Sequence, residues 1–102
     1  MAEPIETRLA AFRAALAAGG PPEGATPALA ALWHLERGDW DAAHACIQDE
    51  ADADSAWVHA HLHRVEGDRG NARYWYGRAG RPSQDGPLDA ERVAILTALL
   101  GR

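Results

Sequence analysis

Leu35-Glu36-Arg37-Gly38-Asp39-Trp40-Asp41-Ala42-Ala43 and Arg64-Val65-Glu66-Gly67-Asp68-Arg69-Gly70-Asn71-Ala72 carry glycine, aspartate and alanine in one register, 29 residues apart from Gly38 to Gly67. In each copy a helix runs into glycine, which lacks the Cβ that disfavours the left-handed conformation closing many helices. Aspartate follows as an N-cap for the next helix, and alanine leaves room for two helices to approach. A stop and a restart one residue apart read as a tight antiparallel turn. The stretch therefore predicts two helical hairpins in succession.

Reading outward gives six helices. Pro4 opens the first, with Ile5, Leu9, Phe12 and Leu16 on one stripe at helical spacing, and Gly19-Gly20-Pro21-Pro22 ends it. Thr26-Pro27, a cap followed by a first-turn proline, starts the second, which carries Leu29, Leu32, Trp33 and Leu35 to Gly38. The third presents Trp40, Ala43 and Ile47 and fades into the acidic run 49–54. Ser55 is expected to cap a fourth helix from Ala56 to Glu66. The fifth carries Ala72, Trp75, Tyr76 and Ala79, and the sixth follows Asp85-Gly86-Pro87 with Leu88, Ile95, Leu96 and Leu99. No alternating strand pattern occurs, so the fold class is all-α. One domain over 1–102 is expected, with hairpins at 24–52 and 53–82 flanked by capping helices at 4–18 and 87–101. Trp40, Ile47, Trp75 and Tyr76 are the expected core, and Trp75→Ala an expected loss of roughly 3–5 kcal/mol.

Gly38, Asp39, Trp40, Ala43 and Ile47, then Gly67, Asp68, Ala72, Tyr76, Ala79 and Pro82, resemble the turn and packing pattern of tetratricopeptide repeats. Arg69 stands where the second copy would have an aromatic, and the offset is shorter than the roughly 34 residues usual for that repeat. The resemblance covers residues 24–82. It implies right-handed stacking of hairpins and a surface for a peptide or protein partner. A second resemblance covers His59, His63, Arg64, Glu66, Asp68, Asn71, Tyr74 and Trp75. That pattern is similar to a small uncharacterised family of bacteria and fungi, with Val65 and Gly67 departing from it. It implies no activity.

Composition narrows the chemistry. At 102 residues, 47% hydrophobic and 25% charged, the chain has an ordinary globular balance and enough length for one core. All ten basic residues are arginine, as GC-rich bacterial coding favours, and the lack of lysine removes Schiff-base catalysis and phosphate loops ending in Gly-Lys. The formal charge of −5 opposes nucleic acid and acidic membranes as general partners. No apolar run reaches the roughly 18 residues of a membrane span, and the acidic amino terminus does not read as a secretory signal. The expected location is the cytoplasm. Cys46 is the only cysteine, and Ser55 and Ser83, the only serines, lie in no nucleophile elbow. His44 and Cys46, two apart on a helix, do not face each other.

One anomaly remains. His59, His63 and Glu66 fall within about 60° of one another on a helix turning 100° per residue. His34 sits 29 residues before His63, at the equivalent point of the first copy. Such positions of a hairpin ordinarily hold apolar side chains. Imidazoles beside a carboxylate suit a divalent metal such as zinc, bound by His59, His63 and Glu66, or a proton-transfer site. They also suit buried histidines satisfied by Glu66, Asp68 or tyrosine hydroxyls. Pairing with Glu66 would raise a histidine pKa and burial would lower it, so the two arrangements predict opposite responses to acid. His34, Arg64, Asp68, Asn71 and Tyr74 complete the candidate ligand-binding set. The function classes left open are a helical-repeat binding module and a small metal-dependent or acid-base enzyme.

Overall fold

A computed structural model describes residues 3–102; Met1 and Ala2, the start of the acidic terminus, lie outside the described residues. Six helices follow in order: α1 Ile5–Ala15, α2 Pro27–Glu36, α3 Trp40–Ile47, α4 Ala53–Val65, α5 Arg69–Ala79 and α6 Leu88–Leu100. Among the described residues there is no strand. Among the described residues no helix is long and apolar enough to cross a membrane.

The two quoted stretches fold alike to the level of individual hydrogen bonds. Gly38 and Gly67 have φ of +79° and +87°. Gly38 N–H donates to Leu35 O and Asp39 N–H to His34 O; Gly67 and Asp68 repeat this on Arg64 and His63. This pair of bonds is the Schellman closure of a helix. Asp39 Oδ1 then accepts from Ala42 N at 3.0 Å and Asp68 Oδ1 from Asn71 N at 3.2 Å, capping α3 and α5. Because an L side chain at positive φ is strained, Gly67→Ala should cost about 1–2 kcal/mol in urea unfolding, although nothing lies within 4 Å of the added methyl. A neutral result would show that the turn relaxes without cost.

Thr26 caps α2 as expected, accepting from Leu29 N at 3.3 Å. The start of α4 differs from the sequence reading: Asp52, not Ser55, is the cap, and the helix begins at Ala53. The Asp52 carboxylate accepts from Ser55 N at 2.9 Å. With four acidic residues available at 49–54, the one followed by helical backbone wins, and Ser55 is carried inside, where it is buried.

The helices pack as hairpins α2–α3 and α4–α5, with α4 also touching α2, α3 and α6. The sixth helix lies on α4 and α2 and meets α1, so the two flanking helices are in contact with each other. Arg8 of α1 donates to Leu100 O of α6, and Trp33 Nε1 ties the end of α1 to α2 through Ala15 O at 2.8 Å. The radius of gyration is 12.9 Å, against about 13 Å for a compact chain of this length. Phe12, Leu32, Trp33, Ile47, Val58, Leu62, Tyr76 and Ile95 belong to one apolar core.

Ile47 and Tyr76 are buried as the sequence predicts, and Ala43 and Ala72 lie at the close approaches of the hairpins. Trp40 and Trp75 differ: both are half-buried. They belong to α3 and α5, which flank α4 and keep one side toward solvent. Their indoles lie against histidines of the interior. Truncating Trp75 should therefore cost less than removing a fully enclosed tryptophan.

Candidate functional site

Helix α4 is covered on several sides, and its residues Ser55 to His63 are buried in unbroken succession. It carries three histidines, at 59, 61 and 63. His59 and His63 are about 40° apart around the axis, whereas His61 is about 200° from His59, so the helix delivers its imidazoles to opposite sides. Two polar clusters result.

The first joins α4 to α3 and α5. His44 Nε2 lies 3.1 Å from His59 Nε2, and one nitrogen of each of His44, His59 and His63 falls within 4.8 Å of the others. The His63 and His59 rings stack at 4.9 Å between centroids, and Trp75 covers His59 at 3.9 Å. Trp40 stacks on His44 at 4.9 Å and anchors itself by donating from Nε1 to Leu62 O at 2.8 Å. Below the triad, His63 Nδ1 is 2.6 Å from Glu66 Oε1. A neutral His63 that donates from Nδ1 to this carboxylate keeps its lone pair on Nε2. Asp68, the α5 cap, lies close enough to form a second group with His63 and Glu66, but it is fully exposed and also bonds Asn71 Nδ2 at 2.8 Å.

Burial, with repulsion from His63 and His44 added, lowers the His59 pKa to about 4. His59 is therefore a neutral imidazole at pH 7, and burial rather than pairing sets its behaviour. Its Nδ1 is buried without a hydrogen-bond partner. A group titrating near 4 is a poor general base at neutral pH but already has the protonation state that metals require.

The second cluster lies on the other side of α4, centred on Glu91 of α6, which is 8% exposed. Its Oε1 accepts from His61 Nδ1 at 2.6 Å and Arg64 Nη1 at 2.8 Å, and its Oε2 accepts from the Tyr76 hydroxyl. Arg92 Nε donates to His61 Nε2 at 3.1 Å, which fixes His61 as a donor from Nδ1. Burial acting alone would raise the Glu91 pKa, but the bonds from His61, Tyr76 and Arg64 outweigh it and hold the carboxyl below its usual value. Burial and the Glu91 charge push the Tyr76 hydroxyl up.

The sequence-derived candidates thus divide. His59, His63, Glu66 and Asp68 come together. Arg64 leaves them for Glu91 on the other side of the helix. Asn71 serves the Asp68 cap, and Tyr74 is 55% exposed beside Arg78. His34 matches His63 in the backbone, since both carbonyls close a helix, but its half-buried ring packs edge-on against Trp33, outside the cluster. The sequence reading missed His44, His61, Glu91 and Arg92. Trp40-x3-His44 matches the spacing of His59-x3-His63 and was the one local sign that α3 also presents a histidine inward. Nothing local marks Glu91, which reaches across the fold. Compared with family models, with curated proteins and with solved structures, the chain matches none of them.

Proposed function

We propose that this chain is a metal-binding protein whose centre is a divalent transition-metal ion, zinc above others, held by His44, His59 and His63. One observation carries the reading: three imidazole nitrogens from two helices converge, with two of them 3.1 Å apart. Nitrogens at 2.0–2.1 Å from one tetrahedral zinc lie about 3.3 Å apart, so the His44–His59 pair is already near that spacing and the His63 nitrogen, within 4.8 Å of both, would close on the ion. Neutral His59 supports it, as does the Glu66–His63 bond, the carboxylate–histidine arrangement that orients metal ligands. Glu66 then acts one shell out rather than as a direct ligand. Three protein nitrogens leave a fourth position, and exposed Glu66 and half-buried His44 put it within reach of solvent. A zinc held there would supply Lewis-acid chemistry, polarising a bound water. The reading as a module for a peptide or protein partner has no comparable anchor: among the described residues, the exposed large hydrophobics are Tyr74 and Val93.

Zinc added to chelator-treated protein should bind one to one and stabilise the fold by about 2.7 kcal/mol at a hundredfold excess over Kd, read as a rise in melting temperature. His44→Gln and His59→Gln should abolish the shift, and Glu66→Gln should weaken binding about 10–100-fold. Zinc binding that survives both histidine substitutions would place the metal elsewhere and remove the proposal.

A further inference from the structure

Two clefts meet under the 80–87 loop, on the side of α4 away from the histidine triad, and share Arg64 and Gln84. The larger, of about 330 Å³, has Trp57, Pro82, Pro87 and Ala90 as apolar walls. The smaller, of about 160 Å³, is lined by Arg69, Arg73, Tyr76 and Ser83. Together they collect four arginines, at 64, 69, 73 and 81, against two carboxylates, Glu91 and Asp85. In a chain of net charge −5 this is a local reversal of sign.

Apart from Arg64, the arginines are not consumed by internal pairing. Arg64 is held rigid, with Nη1 on Glu91 and Nη2 on Gly86 O, and a guanidinium has five N–H groups to share. Arg69 has only a 3.8 Å contact to Asp85, both side chains more than 80% exposed, an ion pair of little strength. Among the described residues, the side chains of Arg73 and Arg81 have neither a hydrogen bond nor an ion pair. Arg81 Cζ sits 3.4 Å from the Trp57 ring centroid, a cation–π contact that holds the guanidinium at the wall of the larger cleft.

We propose that the paired clefts form one bipartite site for a small organic phosphate, its phosphoryl group among Arg64, Arg69 and Arg73 and its flat apolar body beside Trp57 under Arg81. Arginine forks match phosphate oxygens in pairs, and the Ser83 hydroxyl adds a further donor. The site is independent of the metal centre.

Phenyl phosphate, inorganic phosphate and phenol, titrated separately into the full chain and followed by ¹H–¹⁵N NMR of backbone and arginine Nε–H groups, test the proposal. Phenyl phosphate should saturate, move the Arg64 and Arg81 resonances, and bind about tenfold more tightly than inorganic phosphate, since the ring adds apolar burial. Arg73→Gln should weaken both anions. Arg81→Gln should weaken phenyl phosphate selectively, and His59→Gln should change neither. Both side chains are exposed and, among the described residues, make no hydrogen bond or ion pair, so the variants should keep the wild-type circular dichroism. Equal affinity for phenyl phosphate and inorganic phosphate, binding of phenol as strong as that of phenyl phosphate, or binding unchanged in Arg73→Gln would each overturn it.

Discussion

Glu91→Ala should destabilise the protein by about 3–5 kcal/mol, the cost of leaving a buried charge without its partner. Against a total of roughly 5–15 kcal/mol for a domain, this brings the folded state close to its limit. The argument rests on what remains after the carboxylate is gone. Arg64, whose side chain is 12% exposed, keeps its charge with only Gly86 O to accept from it. His61 Nδ1 and the Tyr76 hydroxyl lose their acceptor inside the core. Tyr76→Phe is the control, because it removes one hydroxyl and leaves Glu91 bonded to His61 and Arg64; it should cost nearer 1 kcal/mol. Urea unfolding of the three proteins measures both values. A Glu91→Ala loss below that of Tyr76→Phe would mean that the network contributes little.

Acid should unfold the metal-free protein in two stages, the first of them from His59. Its pKa falls from the ordinary histidine value of 6.5 to about 4 on folding, so the folded state resists a proton that the unfolded chain accepts. This contribution to stability is therefore full above about pH 6.5, declines as pH falls through the window between the two values, and is lost by about pH 4. A fall from 6.5 to about 4 corresponds to on the order of 3 kcal/mol. The second stage belongs to Glu91, whose folded pKa is also depressed. Its contribution is present above the unfolded carboxylate value and declines only at lower pH. His59→Gln should flatten the stability profile between pH 4 and pH 6.5 and leave the lower stage in place. A profile that keeps its slope there in the variant would assign the first stage to another group. Bound zinc should deepen the acid loss, because protonated imidazoles release the metal.

The hairpins were legible in the sequence because their determinants are local. Gly38 and Gly67, Asp39 and Asp68, and Thr26 act within a few residues of themselves, and helix closure and capping depend on little else. The fourth helix start was misread at Ser55 because neighbouring Asp52 is an equally good cap, and only the path of the chain into the core selects between them.

Half of the histidine centre was legible in the same way. His59, His63 and Glu66 share a face because helical spacing alone puts them there. The other half was decided by packing. Whether His34 or His44 joins them depends on which face α3 turns toward α4, and that is set by how the two hairpins dock. Backbone equivalence placed His34 beside His63 in the alignment, but side chains answer to their neighbours, and the neighbour of His34 is Trp33.

The Glu91 cluster was not legible. His61 and Glu91 are 30 residues apart, and Glu91 reads in sequence as an ordinary acidic residue in the first turn of a helix. It becomes the acceptor for His61, Arg64 and Tyr76 only because α6 lies across α4. Local rules specified where each helix begins and ends; which polar groups are taken from water, and therefore which must find partners, was decided by the tertiary contacts that exclude the water.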